Sequence, residues 1–168
     1  MDDEQLQKLI GAAIAYISIH PRSETEIRTY LTKRASRLHM PEMAVVGALE
    51  RLSELRLVDD AAYARMFMES RMRSRPKGER LIRLELKTKG VQPDIIESIC
   101  KEFFKKEIDG STEGDLARKV VEKKWRLWQK LPIMKQKNKV YRYLASRGFS
   151  STVIYSVIDE LVKIHYNT

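Results

Sequence analysis

Apolar side chains recur at three- and four-residue spacing along almost the whole chain, a pattern that predicts an all-α protein. The five prolines and most of the seven glycines fall between the periodic runs rather than inside them, and so mark where helices stop. A first helix is predicted over about 4–19, ending before His20-Pro21. Ser23-Glu24-Thr25-Glu26 has the form of a capping box, in which Ser23 accepts from the N–H of Glu26 and Glu26 reaches back to that of Ser23. It opens a second helix lasting to about Ala35. A third, opened by Pro41 and carrying Val45, Leu49 and Leu52, ends near Arg56. Asp59 is suited to cap a fourth, with Val58 packing on Tyr63 as a hydrophobic staple, and this helix reaches about Ser74. Arg75-Pro76-Lys77-Gly78 breaks it. A fifth helix then runs to Lys89 with Gly90 as a left-handed stop, and Pro93 opens a sixth. Asp109-Gly110-Ser111-Thr112 reads as a linker. A seventh helix is predicted over about 113–130, an eighth ends at Gly148, and a ninth runs from Ser151 to about His165.

The chain also matches itself. Ile27, Leu31 and Arg34 reappear as Ile82, Leu86 and Lys89, and again as Val140, Leu144 and Arg147, at shifts of 55 and 58 residues. Gly90 and Gly148 occupy the same stop position, where the first copy has Ala35 and a longer connection through Ser36-Arg37-Leu38-His39-Met40. A period near one third of the chain predicts three tandem three-helix repeats, 1–58, 59–108 and 109–168. Each can bury a small core and lean on its neighbour, the habit of elongated or curved arrays.

With 43% hydrophobic residues over 168 positions the chain can fill such cores, so disorder is not its default state. Its formal charge of +9 favours a polyanionic partner or an acidic protein surface. The lone Cys100 excludes an internal disulfide framework and a multi-cysteine zinc site. The scattered His20, His39 and His165 offer no ligand spacing, so neither a metal nor a cofactor is expected. An acidic start, Met-Asp-Asp-Glu-Gln, and the lack of a long apolar run predict a cytoplasmic protein without a membrane segment.

Charge is concentrated rather than spread. Residues 65–90 hold nine basic side chains against three acidic ones, and 118–147 hold eleven against one. At about 100° per residue, Lys119, Lys123, Arg126 and Lys130 fall within about 60° of one another on the seventh helix, with Leu116, Val120, Leu127 and Leu131 assigned to the opposite side. Lys135, Lys139 and Arg142 form a stripe on the eighth helix. Arg80, Arg83 and Lys87 form another on the fifth, with Leu84 at its margin. Arg71, Arg73, Arg75 and Lys77 add charge between the fourth and fifth. Basic faces are often merely solvated, but an imbalance of eleven to one suits a phosphate backbone. If about five of these groups neutralise phosphates, log affinity falls with log salt at a slope near −3.5 on single strands. No helix carries the Asn, Gln and Arg grouping that reads bases, so sequence-tolerant contact is expected.

Other candidates have plainer readings. Trp125 and Trp128 can stack on bases, but filling the third core is the stronger reading; Tyr143, facing away from Tyr141, is the better candidate for a base or partner contact. Met66, Met68 and Met72 suit core packing more than an adaptable partner surface. Asp59-Asp60 is explained by an N-cap and a first-turn acid without invoking a substrate. Cys100, near Ile96 and Phe103, reads as a core thiol. There is no P-loop, no dinucleotide glycine fingerprint and no His-Glu-x-x-His helix, so no enzyme chemistry is expected.

Two stretches, Leu57-Val58-Asp59-Asp60-Ala61-Ala62-Tyr63-Ala64 and Lys77-Gly78-Glu79-Arg80-Leu81-Ile82-Arg83-Leu84-Glu85-Leu86-Lys87-Thr88-Lys89-Gly90-Val91, resemble the RecX family. Ser23-Glu24-Thr25-Glu26-Ile27-Arg28 resembles that family's opening serine-glutamate-leucine-arginine run. The motif positions are Ser23, Glu26, Asp59, Asp60, Gly78, Glu85 and Gly90. Arg56 stands where the family usually has glycine, and the third triplet is unusually basic and matches more by repeat than by motif. The resemblance implies a regulator of the RecA recombinase that docks in the groove of the RecA–single-stranded DNA filament and restrains filament growth, ATP hydrolysis and strand exchange. It also implies three tandem three-helix units in a curved array. A monomer is expected. The rival readings are a basic helical DNA-binding protein acting without RecA, and an adaptor for an acidic protein.

Overall fold

The computed structural model describes residues 3–105 and 113–166, and the linker expected at 109–112 falls outside them. The described residues form α1 (Asp3–Ile19), α2 (Glu24–Arg37), α3 (Glu42–Glu54), α4 (Asp60–Ser74), α5 (Glu79–Thr88), α6 (Pro93–Lys105), α7 (Glu113–Trp128), α8 (Ile133–Ser146) and α9 (Ser151–Tyr166), with no strand among them. The expected boundaries hold to within two residues. α2 continues to Arg37 instead of stopping at Ala35, and α3, α7 and α8 end at Glu54, Trp128 and Ser146 instead of near Arg56, Lys130 and Gly148.

Two compact units share the chain. One comprises residues 1–66 and 86–96, the other 67–85 and 97–168. In the first, α1, α2 and α3 pack pairwise around Leu9, Ala13, Ile27, Leu31, Ala48 and Leu52, and Val58 joins this core. In the second, α7, α8 and α9 do the same around Ala117, Val121, Val140, Leu144, Ile154 and Val157. The repeated pairs Ile27 and Leu31, Ile82 and Leu86, Val140 and Leu144 are all buried, which is the physical content of the internal repeat.

Four helices end in one motif. After α5 the N–H of Gly90 donates to the Lys87 carbonyl at 2.9 Å and that of Val91 to the Leu86 carbonyl at 3.2 Å. After α8, Gly148 and Phe149 repeat this on Ala145 and Leu144, and both stops are left-handed with φ of 79° and 84°. The same pair of bonds closes α2 through His39 and Met40, and α3 through Arg56 and Leu57. There the left-handed residues are His39 at 51° and Arg56 at 55°.

Glycine is kept where another helix comes close. A Cβ at Gly90 would lie 2.2 Å from Thr25 Oγ1, and one at Gly148 2.3 Å from Leu81 Cβ. His39 and Arg56 are exposed, so only the intrinsic cost of the conformation, about 1–2 kcal/mol, opposes a side chain there.

What comes close to Gly90 is the start of α2. Ser23, fully buried, accepts from the N–H of Glu26 at 3.2 Å and donates its hydroxyl to the Lys89 carbonyl at 2.6 Å. Glu26 completes the capping box on the Ser23 N–H and receives Lys89 Nζ at 2.8 Å. Asp59 caps its own helix through the Ala62 N–H at 2.9 Å, while Asp60 reaches over to the first N–H of α2, that of Glu24, at 2.7 Å. Burial pushes the Asp60 carboxyl above its usual range, and that hydrogen bond acts in the opposite sense. In the second unit the start of α5 is held in the same way. The Gly78 N–H donates to the Arg147 carbonyl at 2.9 Å, and Glu113 accepts from the Glu79 N–H at 3.1 Å.

Two comparisons test this account by thermal or denaturant unfolding. Gly90→Ala is expected to cost more than about 2 kcal/mol, whereas Gly11→Ala on α1, where an added Cβ meets nothing within 4 Å, is expected to stabilise by up to about 1 kcal/mol. Arg56→Gly is expected to raise stability by about 1 kcal/mol, and a loss there would contradict the reading of its conformation.

Candidate nucleic-acid interface

The expected basic residues separate into two kinds once their surroundings are known. Arg71, Lys77 and Arg83 are half-buried and engaged with acids of the same unit. Glu85 receives Arg71 Nε at 3.0 Å on one carboxylate oxygen and Lys77 Nζ on the other. The Arg71 guanidinium also lies 4.7 Å from the Phe67 ring centre. Arg83 bridges Glu79 at 2.6 Å and Glu97 at 2.7 Å, so it ties α5 to α6. These three side chains fasten the segment between α4 and α6 and have little charge to spare for an external anion.

The remaining eleven, Arg73, Arg75, Arg80, Lys87, Lys119, Lys123, Arg126, Lys130, Lys135, Lys139 and Arg142, are exposed. Among the described residues no carboxylate pairs with any of them. Ten belong to the second unit; Lys87, near the end of α5, belongs to the first.

α7 sets out its cations as its periodicity requires, but its buried face is only partly the expected one. Ala117, Val120 and Val121 are buried and Trp125 and Trp128 pack against the core, while Leu127 is 67% exposed. Val120 and Leu116, at nearly the same helical angle as Leu127, do meet the core, so what sets Leu127 apart is its place in the last turn of α7. Leu84 on α5 is exposed as well. Of the three methionines, Met68 is fully buried, Met66 is exposed and Met72 lies between.

Two open grooves run across this surface of the second unit. One, of about 390 Å³, is bordered by Arg73 and Arg75 after α4, Lys119 and Lys123 on α7, and Tyr143 and Arg147 on α8. The other, of about 470 Å³, is bordered by Trp128, Lys135, Asn138, Lys139, Arg142 and Tyr143. Tyr143 is a wall of both. Its ring meets that of Trp128 edge-on at 5.5 Å, and the Arg147 guanidinium lies 4.7 Å from its centre. Arg147 is anchored in turn on the Pro76 carbonyl at 3.3 Å.

The buried Gln136 steadies the floor between α7 and α8, donating to the Gln129 and Leu131 carbonyls at 3.0 and 2.8 Å, where the end of a helix leaves carbonyls to satisfy. Asn138 and Arg147 were not among the expected site residues. Arg147 was recoverable as the repeat partner of Lys89, but nothing local marks Asn138.

Other candidates resolve into structure. Burial pushes the Cys100 thiol up to about 11, which keeps it protonated near neutrality. Asp59 and Asp60 cap helix ends. Among the described residues no cluster of three or more His, Cys, Asp or Glu side chains could hold a metal ion, and no described helix is long and apolar enough to cross a membrane.

A family model described as RecX, second three-helix domain, matches residues 59–98, and one described as RecX, third three-helix domain, matches 112–158. A regulatory protein RecX from Prosthecochloris aestuarii is 32% identical over 167 residues, covering 96% of this chain and 99% of the relative. One from Limosilactobacillus reuteri is 29% identical over 159 residues, and there the alignment takes in 95% of this chain but 57% of the relative. The crystal structure of RecX from Lactobacillus salivarius superposes with a TM-score of 0.81 at 25% identity, covering 94% of this chain and 97% of that one. Fold and matches together define an all-α repeat protein built from three-helix domains. The chain belongs to the RecX family of regulatory proteins.

The two kinds of cation give a direct test. Replacing Lys119, Lys123, Arg126 and Lys130 together by alanine is expected to leave the melting temperature in place and to flatten the salt dependence of single-stranded DNA binding by about 3 in log–log slope, read by anisotropy over a salt series. Lys77→Met is expected to do the reverse, costing about 1 kcal/mol of stability with little change in slope.

Proposed function

We propose that this chain is a non-enzymatic, cytoplasmic regulator of the RecA recombinase that acts as a monomer in the groove of the RecA–single-stranded DNA filament. There it restrains ATP hydrolysis, filament growth and strand exchange. The observation that carries the DNA half of this reading is the set of exposed cations without carboxylate partners among the described residues, seven of which border the two grooves of the second unit. RecA as the partner, and the inhibitory sign, follow from the resemblance and family membership rather than from the charge map.

Physically, the phosphate backbone meets Lys and Arg side chains that have no internal acid to release first, so binding is sequence-tolerant and steeply salt-dependent. Repeats at 1–58, 59–108 and 109–168 would each add a modest contact, and on a helical lattice offering the same sites again and again those contacts multiply into avidity. The less basic first repeat would make mostly protein contacts. A protein that spans adjacent RecA protomers holds them in one state and slows their ATP cycle.

The test is single-stranded-DNA-dependent ATP hydrolysis by the cognate RecA, followed while this protein is titrated from far below the RecA concentration at two salt concentrations. Inhibition at substoichiometric ratios that weakens at the higher salt is expected. No effect on hydrolysis or filament assembly, together with tight binding to naked DNA, would instead establish a DNA-binding protein that acts without RecA.

A further inference from the structure

The groove between α7 and α8 differs from a phosphate track in one respect: its wall is aromatic. Trp128 and Tyr143 meet edge to face at 5.5 Å on one side, and the polar border is Lys135, Asn138, Lys139 and Arg142, with no acidic side chain among the lining residues. A track for phosphates alone gains nothing from two half-buried rings. A volume of about 470 Å³ falls in the range of small-molecule pockets, roughly 300–1,000 Å³, and admits a nucleoside.

The rings are held ready. Trp128 and Tyr143 both pack against the core of the second unit, and the Arg147 guanidinium lies against the Tyr143 ring. Such support lowers the entropy lost when a flat ligand stacks on them. The ligand that combines a flat π-face with adjacent negative charge is a nucleotide.

We propose that this groove is a seat for one unpaired base of a nucleic-acid strand, stacked on one ring of the nearly perpendicular Trp128–Tyr143 pair and edge-on to the other, while the neighbouring phosphates meet Lys135, Lys139 and Arg142. The proposal rests on the reading of this basic surface as a nucleic-acid interface and adds to it a preference for single strands, because a duplex keeps its bases stacked inside. The Asn138 amide offers a donor and an acceptor to whatever base edge arrives, which suits a seat tolerant of sequence. Stacking of one base on an aromatic wall is expected to change affinity by about tenfold.

The test uses the full chain and two strands of equal length, an oligothymidine and an otherwise identical strand of abasic residues, with binding followed by anisotropy. The oligothymidine is expected to bind about tenfold more tightly and, in a Trp125→Phe chain, to quench the fluorescence of Trp128. Tyr143→Leu is expected to remove most of the difference between the strands while leaving binding of the abasic strand unchanged; because Tyr143 touches the core, the exposed Asn138→Ala is measured beside it and is expected to narrow the difference more weakly. Equal affinity for both strands without quenching in the otherwise unaltered groove overturns the base seat and leaves the basic surface standing. Failure of both strands to bind overturns the interface itself.

Discussion

Everything in this molecule depends on how the first N–H groups of its middle helices are satisfied. A helix start leaves backbone donors without intrahelical acceptors, and burying them unpaired costs about 1–3 kcal/mol each. At α2 the acceptor comes from Asp60 on α4, and the Ser23 hydroxyl closes onto the last carbonyl before Gly90. At α5 the acceptor is Glu113 on α7, and Gly78 itself donates to the carbonyl before Gly148. One helix end is thus filled by a carboxylate from the following triplet and pressed against a left-handed glycine of that triplet. α5 uses both of its ends in this way.

This joint explains features that look unrelated along the chain. The Asp59-Asp60 pair is two caps for two helices, which is why the second carboxylate is partly desolvated. Gly90 and Gly148 exclude a Cβ because a neighbouring helix start occupies the space, whereas His39 and Arg56 hold the same backbone conformation in the open. The first copy of the repeat makes its left-handed turn at His39, which is exposed, so a side chain is accommodated there.

The basic surface follows a complementary logic. Charges needed for the frame were neutralised within it: Glu85 takes Arg71 and Lys77, and Arg83 is shared by Glu79 and Glu97. Seven of the eleven left exposed fall between Lys119 and Arg142, on α7, α8 and the turn joining them, where Glu122 is the only acid between residues 118 and 147. A surface of that kind keeps the full electrostatic attraction for an external polyanion, since no internal ion pair has to be broken first.

The order of helices, their caps, their stops and the three-fold repeat were legible in the amino-acid sequence, because these are set within a few residues: a capping box spans four positions and a helical face repeats every three or four. Ser23 with Glu26, Asp59 with Ala62, and the left-handed turns at Gly90 and Gly148 are all of that kind. The sorting of the cations was not legible, since Arg71 pairs with Glu85, and Arg83 with Glu97 besides its local partner Glu79, across 14 residues. Nor was the place of Asp60, whose acceptor role is on a helix 36 residues back, or that of Leu127, which shares the helical side of the buried Val120 and yet lies in solvent in the last turn of α7. Local chemistry decided where each helix begins and ends; only packing, which brings distant side chains within a few ångströms, decided which charges are spent on the fold and which remain for a partner.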